Sequence, residues 1–177
     1  FFLGSVARRC LGDTYFDMGK YQQSQDSYDK AVSLSEHFDF LPSLINLCKV
    51  SLAKIKVINE EKDFNLESLY GYVRENNLTI NEGCMIRRIG WILLHMDDKY
   101  LFDAENWGKK SIKADKANGT KWSLGRDYVF YAELLERKGD RTKAEATLKN
   151  AIDIFKNCRA DGWVEKYEKK LTARYNK

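Results

Sequence analysis

Apolar residues recur through this chain in steps of three and four, the spacing of one buried helix face, over stretches of about 14 to 20 residues. Gly19, Pro42, Asn76-Asn77, Asp97-Asp98, Asn118-Gly119, Gly139-Asp140 and Asp161-Gly162 punctuate those stretches. The pattern predicts nine helices, at residues 3 to 18, 21 to 36, 42 to 58, 65 to 75, 82 to 96, 101 to 117, 121 to 138, 141 to 158 and 162 to 175. Local chemistry supports several of the starts. Thr79 with Glu82 has the spacing of a capping box, Thr120 and Asp161 are cap residues, and Pro42 suits a first turn because its missing amide proton has no partner to lose there. Asn59 to Asn65 and Lys99 to Phe102 read as widened turns.

Paired in order, the helices form four hairpins, beginning near residues 5, 41, 83 and 125, and leave one helix over. Two hairpins share one template. Leu11, Gly12, Tyr15, Gly19, Ser24, Tyr28 and Ala31 stand at the same offsets as Tyr131, Ala132, Leu135, Gly139, Ala144, Leu148 and Ala151, 120 positions further on. A small residue in each helix lets two backbones approach, and large residues one turn away fill the space that remains.

This template resembles the tetratricopeptide repeat: a large then a small residue in the first helix, an apolar one four after the large residue, and a small, large, small run in the second. The first and fourth hairpins carry it throughout. In the third, Ile89-Gly90 and Leu93 supply the first helix and Ala104, Gly108 and Ser111 the second; in the second hairpin Leu47, Cys48 and Ser51 fit, while Leu66, Leu69, Tyr70 and Val73 depart from it. Hairpins start about 40 residues apart rather than the family's ~34, so extra residues are expected in the second and third.

The resemblance implies an all-α fold: a right-handed superhelix of antiparallel helix hairpins, a TPR-like α-solenoid, with first helices along a concave face. A single domain is expected over 1-177, with units at about 5-38, 41-78, 83-118 and 125-158 and a capping helix at 162-175. In that last helix Trp163, Val164, Tyr167 and Leu171 form one narrow apolar stripe among charged residues. The chain opens without Met inside an apolar pattern, which points to a fragment of a larger protein. The run from Ala144 to Leu171 is also similar to repeat arrays attached to bacterial nucleotide cyclases and signalling ATPases, although no catalytic motif of either occurs in this sequence.

Composition acts mainly by exclusion. The formal charge of +4 comes from 30 basic and 26 acidic side chains, interspersed, a weak field for a nucleic-acid binder. No apolar run approaches the ~18 residues of a membrane span. Cys10, Cys48, Cys84 and Cys158 lie far apart, without zinc or redox spacing, so a reduced, cytoplasmic setting is expected. His37 and His95 form no His-Glu-x-x-His pair, no glycine-rich phosphate loop occurs, and Glu60-Glu61, Asp97-Asp98 and Glu133 with Glu136 read as solvated turns or helix faces. The expectation is a protein that is not an enzyme and uses no metal or cofactor.

Projecting the repeat positions puts Arg9, Asp13, Asn46, Arg88, Trp91, His95, Arg126, Phe130 and Glu133 on or beside the concave wall, with Arg87 an alternative to Arg88; Trp107 and Trp163 are expected in the core. A subset of the family clamps the C-terminal carboxylate of heat-shock chaperones with Lys, Asn, Asn, Lys and Arg. Arg9, Asn46 and Arg88 approximate three of those positions, but Asp13 replaces the first Asn and its carboxylate would repel the ligand's own. The expected function is a protein-protein interaction module binding a peptide or helix in the groove, within a larger signalling or regulatory protein. One alternative is a scaffold that forms a homo-oligomer through its repeat ends, starting from the apolar Phe1-Phe2-Leu3. Another is a helical-repeat RNA binder using Lys109, Lys110, Lys113, Lys116 and Lys121.

Overall fold

Helices fill the predicted stretches. The structure, a computed structural model, describes residues 2–36, 42–61 and 63–175. Among the described residues are nine α-helices and no strand: α1 (Phe2–Asp17), α2 (Tyr21–Glu36), α3 (Pro42–Ile58), α4 (Leu66–Arg74), α5 (Thr79–Met96), α6 (Leu101–Ala117), α7 (Lys121–Arg137), α8 (Arg141–Asn157) and α9 (Asp161–Tyr175). His37 and Lys62 lie outside the described residues. A 3-10 turn at Asp98–Tyr100 runs directly into α6. The clearest shift of boundary is at α5, which starts at Thr79 rather than 82. Thr79 therefore sits inside the first turn, and the Glu82 carboxylate accepts a bond from Asn118 Nδ2 at 3.2 Å.

The chain divides into two compact units, Phe1–Asn81 and Glu82–Lys177, between the second and third hairpins. In the first unit, α1 and α2 meet where the sequence removes bulk. A Cβ on Gly12 would stand 2.6 Å from two Tyr28 ring carbons, so the tyrosine lies flat on the α1 backbone only because that position is glycine. Ser24, buried opposite, donates its hydroxyl to the Gly12 carbonyl at 2.7 Å. Tyr28 and Ala31 then join Cys48 and Ile55 of α3 in one core. The second hairpin is the irregular one, as its sequence implies: α4 has nine residues and buries only Leu69. Asn65 caps it, accepting the Ser68 amide at 3.1 Å.

The second unit repeats the same packing logic. Phe130 of α7 wedges against two glycines, since a Cβ would come within 2.9 Å of its ring at Gly90 of α5 and at Gly108 of α6. Gly125 of α7 makes equivalent room for Phe155 of α8, 2.7 Å from an added Cβ. Phe155, Leu148 and Ala151 are covered in turn by Tyr167, with Trp163, Val164 and Leu171 of α9 packed alongside, the stripe expected of a capping helix.

Five helix ends share one turn. After α1, α3, α6, α7 and α8 a residue with positive φ is followed by an amide that bonds back five residues, as from Lys20 to the Tyr15 carbonyl at 2.8 Å and from Asp140 to Leu135 at 3.0 Å. Glycine holds that place at Gly19, Gly119 and Gly139, but Glu60 and Arg159 hold it at φ 60° and 54°. A side chain in this region costs about 1–2 kcal/mol. Arg159→Gly is therefore expected to raise stability by about 1 kcal/mol in urea unfolding, after allowance for the freer unfolded chain; a neutral or destabilising result would mean that the Arg159 side chain contributes more than its backbone costs.

Candidate functional site

Each unit carries part of the predicted wall. In Phe1–Asn81, Arg9 and Asp13 lie one turn apart on α1 and pair with each other at 2.7 Å. Asp13 also accepts the Tyr28 hydroxyl at 2.5 Å, so this carboxylate completes the hairpin seam. Asn46 of α3 is buried and donates to the Glu75 carboxylate at 3.2 Å. Beside it the Ser43 hydroxyl donates to Asn77 Oδ1 at 2.6 Å, and the two contacts tie the start of α3 to the chain beyond α4. Asn46 thus works as a structural link rather than as part of an open wall.

In Glu82–Lys177 the first helices of successive hairpins, α5 and α7, bring three predicted residues together. The Trp91 indole stacks on the His95 imidazole, with centroids 3.8 Å apart and planes 19° from parallel. One turn of helix separates them, which puts both rings on the same face. His95 Nδ1 lies 2.8 Å from the Trp91 carbonyl and Nε2 lies 3.2 Å from Glu133 Oε1 on α7. Burial works against the Glu133 carboxylate, yet the His95 bond and the charges of Lys170 and Arg174 hold its pKa below the usual carboxylate range. The group stays ionised and partly open, its side chain 37% exposed.

Arg126, one helical turn after Trp122, lies between two indoles. Its guanidinium is 5.0 Å from the Trp122 ring centre and 4.9 Å from that of Trp163 on α9, and the two indoles meet edge to face at 5.6 Å. Two further predictions need correction. Phe130 is only 3% exposed and fills the space left by Gly90 and Gly108, so it is core and not groove. Arg88 is 5% exposed and presents no open face, although it stands one turn before Trp91 on the same side of α5.

Arg87, the alternative to Arg88, belongs to a buried charge cluster that sequence reasoning missed. Its guanidinium bonds Asp127 Oδ1 of α7 at 2.6 Å and Ser123 Oγ at 3.1 Å, and stands 3.9 Å from Asp115 Oδ2 of α6. Thr120 holds the α7 cap position but turns its hydroxyl to Asp115 Oδ1 at 2.6 Å instead of capping the helix. Gly83 is obligatory, because a Cβ there would sit 2.2 Å from the same oxygen. Asp115 Oδ2 and Asp127 Oδ2 are fully buried and accept no hydrogen bond among the described residues. Burial, helped by Asp115, pushes the Asp127 carboxyl up to about 8 against the pull of Arg87. Two carboxyls served by one cation make this a joint between three helices, closed to a ligand. The only sequence signal was the spacing of Arg87 and Asp127, 40 residues or about one hairpin apart.

The tetratricopeptide-repeat family model matches residues 11–38, which span the end of α1 and the whole of α2. This chain carries a tetratricopeptide repeat. The match covers the seam that Gly12, Ser24, Tyr28 and Ala31 build, and the α7–α8 hairpin reproduces that tetratricopeptide seam with Ala132, Ala144, Leu148 and Ala151, all buried. No match was found among curated proteins. Tetratricopeptide repeats mediate contacts between proteins, and their fold ordinarily carries no catalysis. Among the described residues no helix is long and apolar enough to cross a membrane, and no group of three or more His, Cys, Asp and Glu side chains could hold a metal ion.

Proposed function

We propose that this chain is a protein-protein interaction module that receives a peptide or helix of its partner on the face of α5 and α7 bearing Trp91, His95 and Glu133. The supporting observation is the arrangement of those three side chains: an indole and an imidazole stacked on one helix, with an ionised, partly open carboxylate from the next hairpin bonded to the imidazole. Such a surface offers apolar area for an anchor residue and a charged acceptor for a backbone amide or a cation. Bonds to His95 hold the rings in place before a partner arrives, which lowers the ordering cost of binding.

Peptides selected from a random library against the native chain test this reading. Trp91→Ala is expected to weaken the selected binders by at least about tenfold, the usual loss when a central aromatic anchor is removed, with the helical circular dichroism unchanged. Glu133→Gln should weaken binders that carry a cation and spare those that do not. Undiminished affinity in both variants would place the binding surface elsewhere.

A further inference from the structure

We propose, resting on the binding face described above, that His95 is the pH switch of that face: its ring carries a proton on each nitrogen while it ties α5 to α7, and losing one releases the tie and weakens the partner's hold. Both ring nitrogens face an acceptor. Nδ1 lies 2.8 Å from the Trp91 carbonyl and Nε2 lies 3.2 Å from Glu133 Oε1. A carbonyl can only accept, and so can an ionised carboxylate, so each contact is a hydrogen bond only when the nitrogen brings the proton. A neutral imidazole has one N–H and serves one of the two acceptors; the imidazolium serves both. Glu133 does not supply the missing proton: against the push of burial, the bond and charge of His95 and the charges of Lys170 and Arg174 hold its carboxyl below the usual range.

Charges reach this ring from three helices. On α5, Arg88 stands two turns earlier and opposes a second positive charge, whereas the last turn, which ends at Met96, favours one because its carbonyl ends form the negative pole of the helix. On α7, Glu133 favours the cation, while Arg137 one turn further on is tied to Asp98 at 2.8 Å and to the Leu94 carbonyl at 2.8 Å. On α9, Lys170 and Arg174 act on the Glu133 carboxylate and compete with the ring for it, although Arg174 is itself bonded to Glu136. Glu133 is the group in direct contact with Nε2, so the tie lasts as long as the second proton does.

The state of the ring passes directly to Trp91. An imidazolium stacked on an indole at 3.8 Å gains a cation–π attraction that the neutral ring lacks. When the proton leaves, that attraction goes with it, and two lone pairs face each other across the gap between Nε2 and Glu133. The ring then turns from one acceptor, and Trp91 loses the support that holds it ready for a partner. Imidazole is the side chain whose charge ordinarily changes between about pH 5 and 8. His95 and Glu133 have side chains 27% and 37% exposed, so water can take the proton and return it.

Peptides selected against the full chain at about pH 5.5, without Asp, Glu or His and with blocked ends, keep a constant charge up to about pH 7.5, so their fluorescence anisotropy titrations report changes in the protein. They are expected to bind at least about threefold more weakly at the higher pH, part of the roughly tenfold that one charge-assisted bond commands. His95→Gln, which does not titrate, should abolish the difference. Glu133→Gln should shrink it, because a carboxamide can donate to Nε2 of the neutral ring. Asp127→Asn should leave it intact, since Asp127 bonds Arg87 in the closed joint and not this ring. Nitrogen-15 spectra of the His95 ring should show one of two ring protons leaving over the pH interval in which affinity falls. Equal affinity at the two pH values, a difference that survives His95→Gln, or one that Asp127→Asn removes would overturn the switch. The two readings fail separately: peptides that weaken in Trp91→Ala yet bind equally at both pH values leave the face standing without a switch, whereas undiminished affinity in both Trp91→Ala and Glu133→Gln removes the face and the switch with it.

Discussion

Replacing Arg87 with Ala is expected to lower stability by about 3–5 kcal/mol, because the substitution leaves two buried carboxyls without their cation. Asp115 and Asp127 are 1% and 0% exposed, so solvent cannot take over the role of the guanidinium. The loss should be smaller at low pH, where Asp127 holds a proton. In the parent protein the sign follows from Asp127. Its folded pKa of about 8 lies above the ordinary 3.8, so its contribution to stability is whole below pH 3.8 and is lost as pH rises through about 8. Urea unfolding across that range should show the midpoint falling with pH, and Asp127→Asn should flatten the slope. A loss under about 1 kcal/mol for Arg87→Ala, or a slope unchanged in Asp127→Asn, would show that water reaches the cluster.

Phe155→Ala should cost about 3–5 kcal/mol for a different reason, the removal of a ring from a packed joint. Phe155 lies 5.4 Å from the Trp163 ring and 5.9 Å from that of Tyr167, and it fills the hollow that Gly125 provides. Without it α9 loses the surface on which it docks. Amide hydrogen exchange should therefore quicken through α9 while the α1–α2 amides keep their rates. Exchange that rises equally in both hairpins would mean that α9 is not a separable element. As a companion test, Gly125→Ala should overpack the same joint by about 1–3 kcal/mol, and adding Phe155→Leu should recover part of that loss.

Much of the fold was legible because it rests on short-range rules. A small residue facing a large one reports a helix crossing wherever it occurs, so the α1–α2 and α7–α8 seams could be read from Gly12, Ser24, Tyr28 and their counterparts. Trp91, His95 and Glu133 were legible for a related reason: the helical period fixes which face a side chain takes, and the hairpin spacing fixes its neighbour. Phe130 and Arg88 were not. An aromatic that fills a glycine hollow has the same sequence signature as one that lines a groove, and only the facing Gly90 and Gly108 reveal which it is. Asp115 and Asp127 were least legible, since a carboxylate on a helix normally reads as solvated and its burial depends on an arginine one hairpin away. The same blindness applies to Trp122 and Trp163, whose pairing across α7 and α9 leaves no local trace.

Several side-chain links in Glu82–Lys177 reach one hairpin forward and no further: Arg87 to Asp127, His95 to Glu133, Leu94 to Arg137 and Glu136 to Arg174, over separations of 38 to 43 residues. Order can therefore start at any hairpin and spread to its neighbours like the closing teeth of a zip, without waiting for remote stretches of chain to find one another.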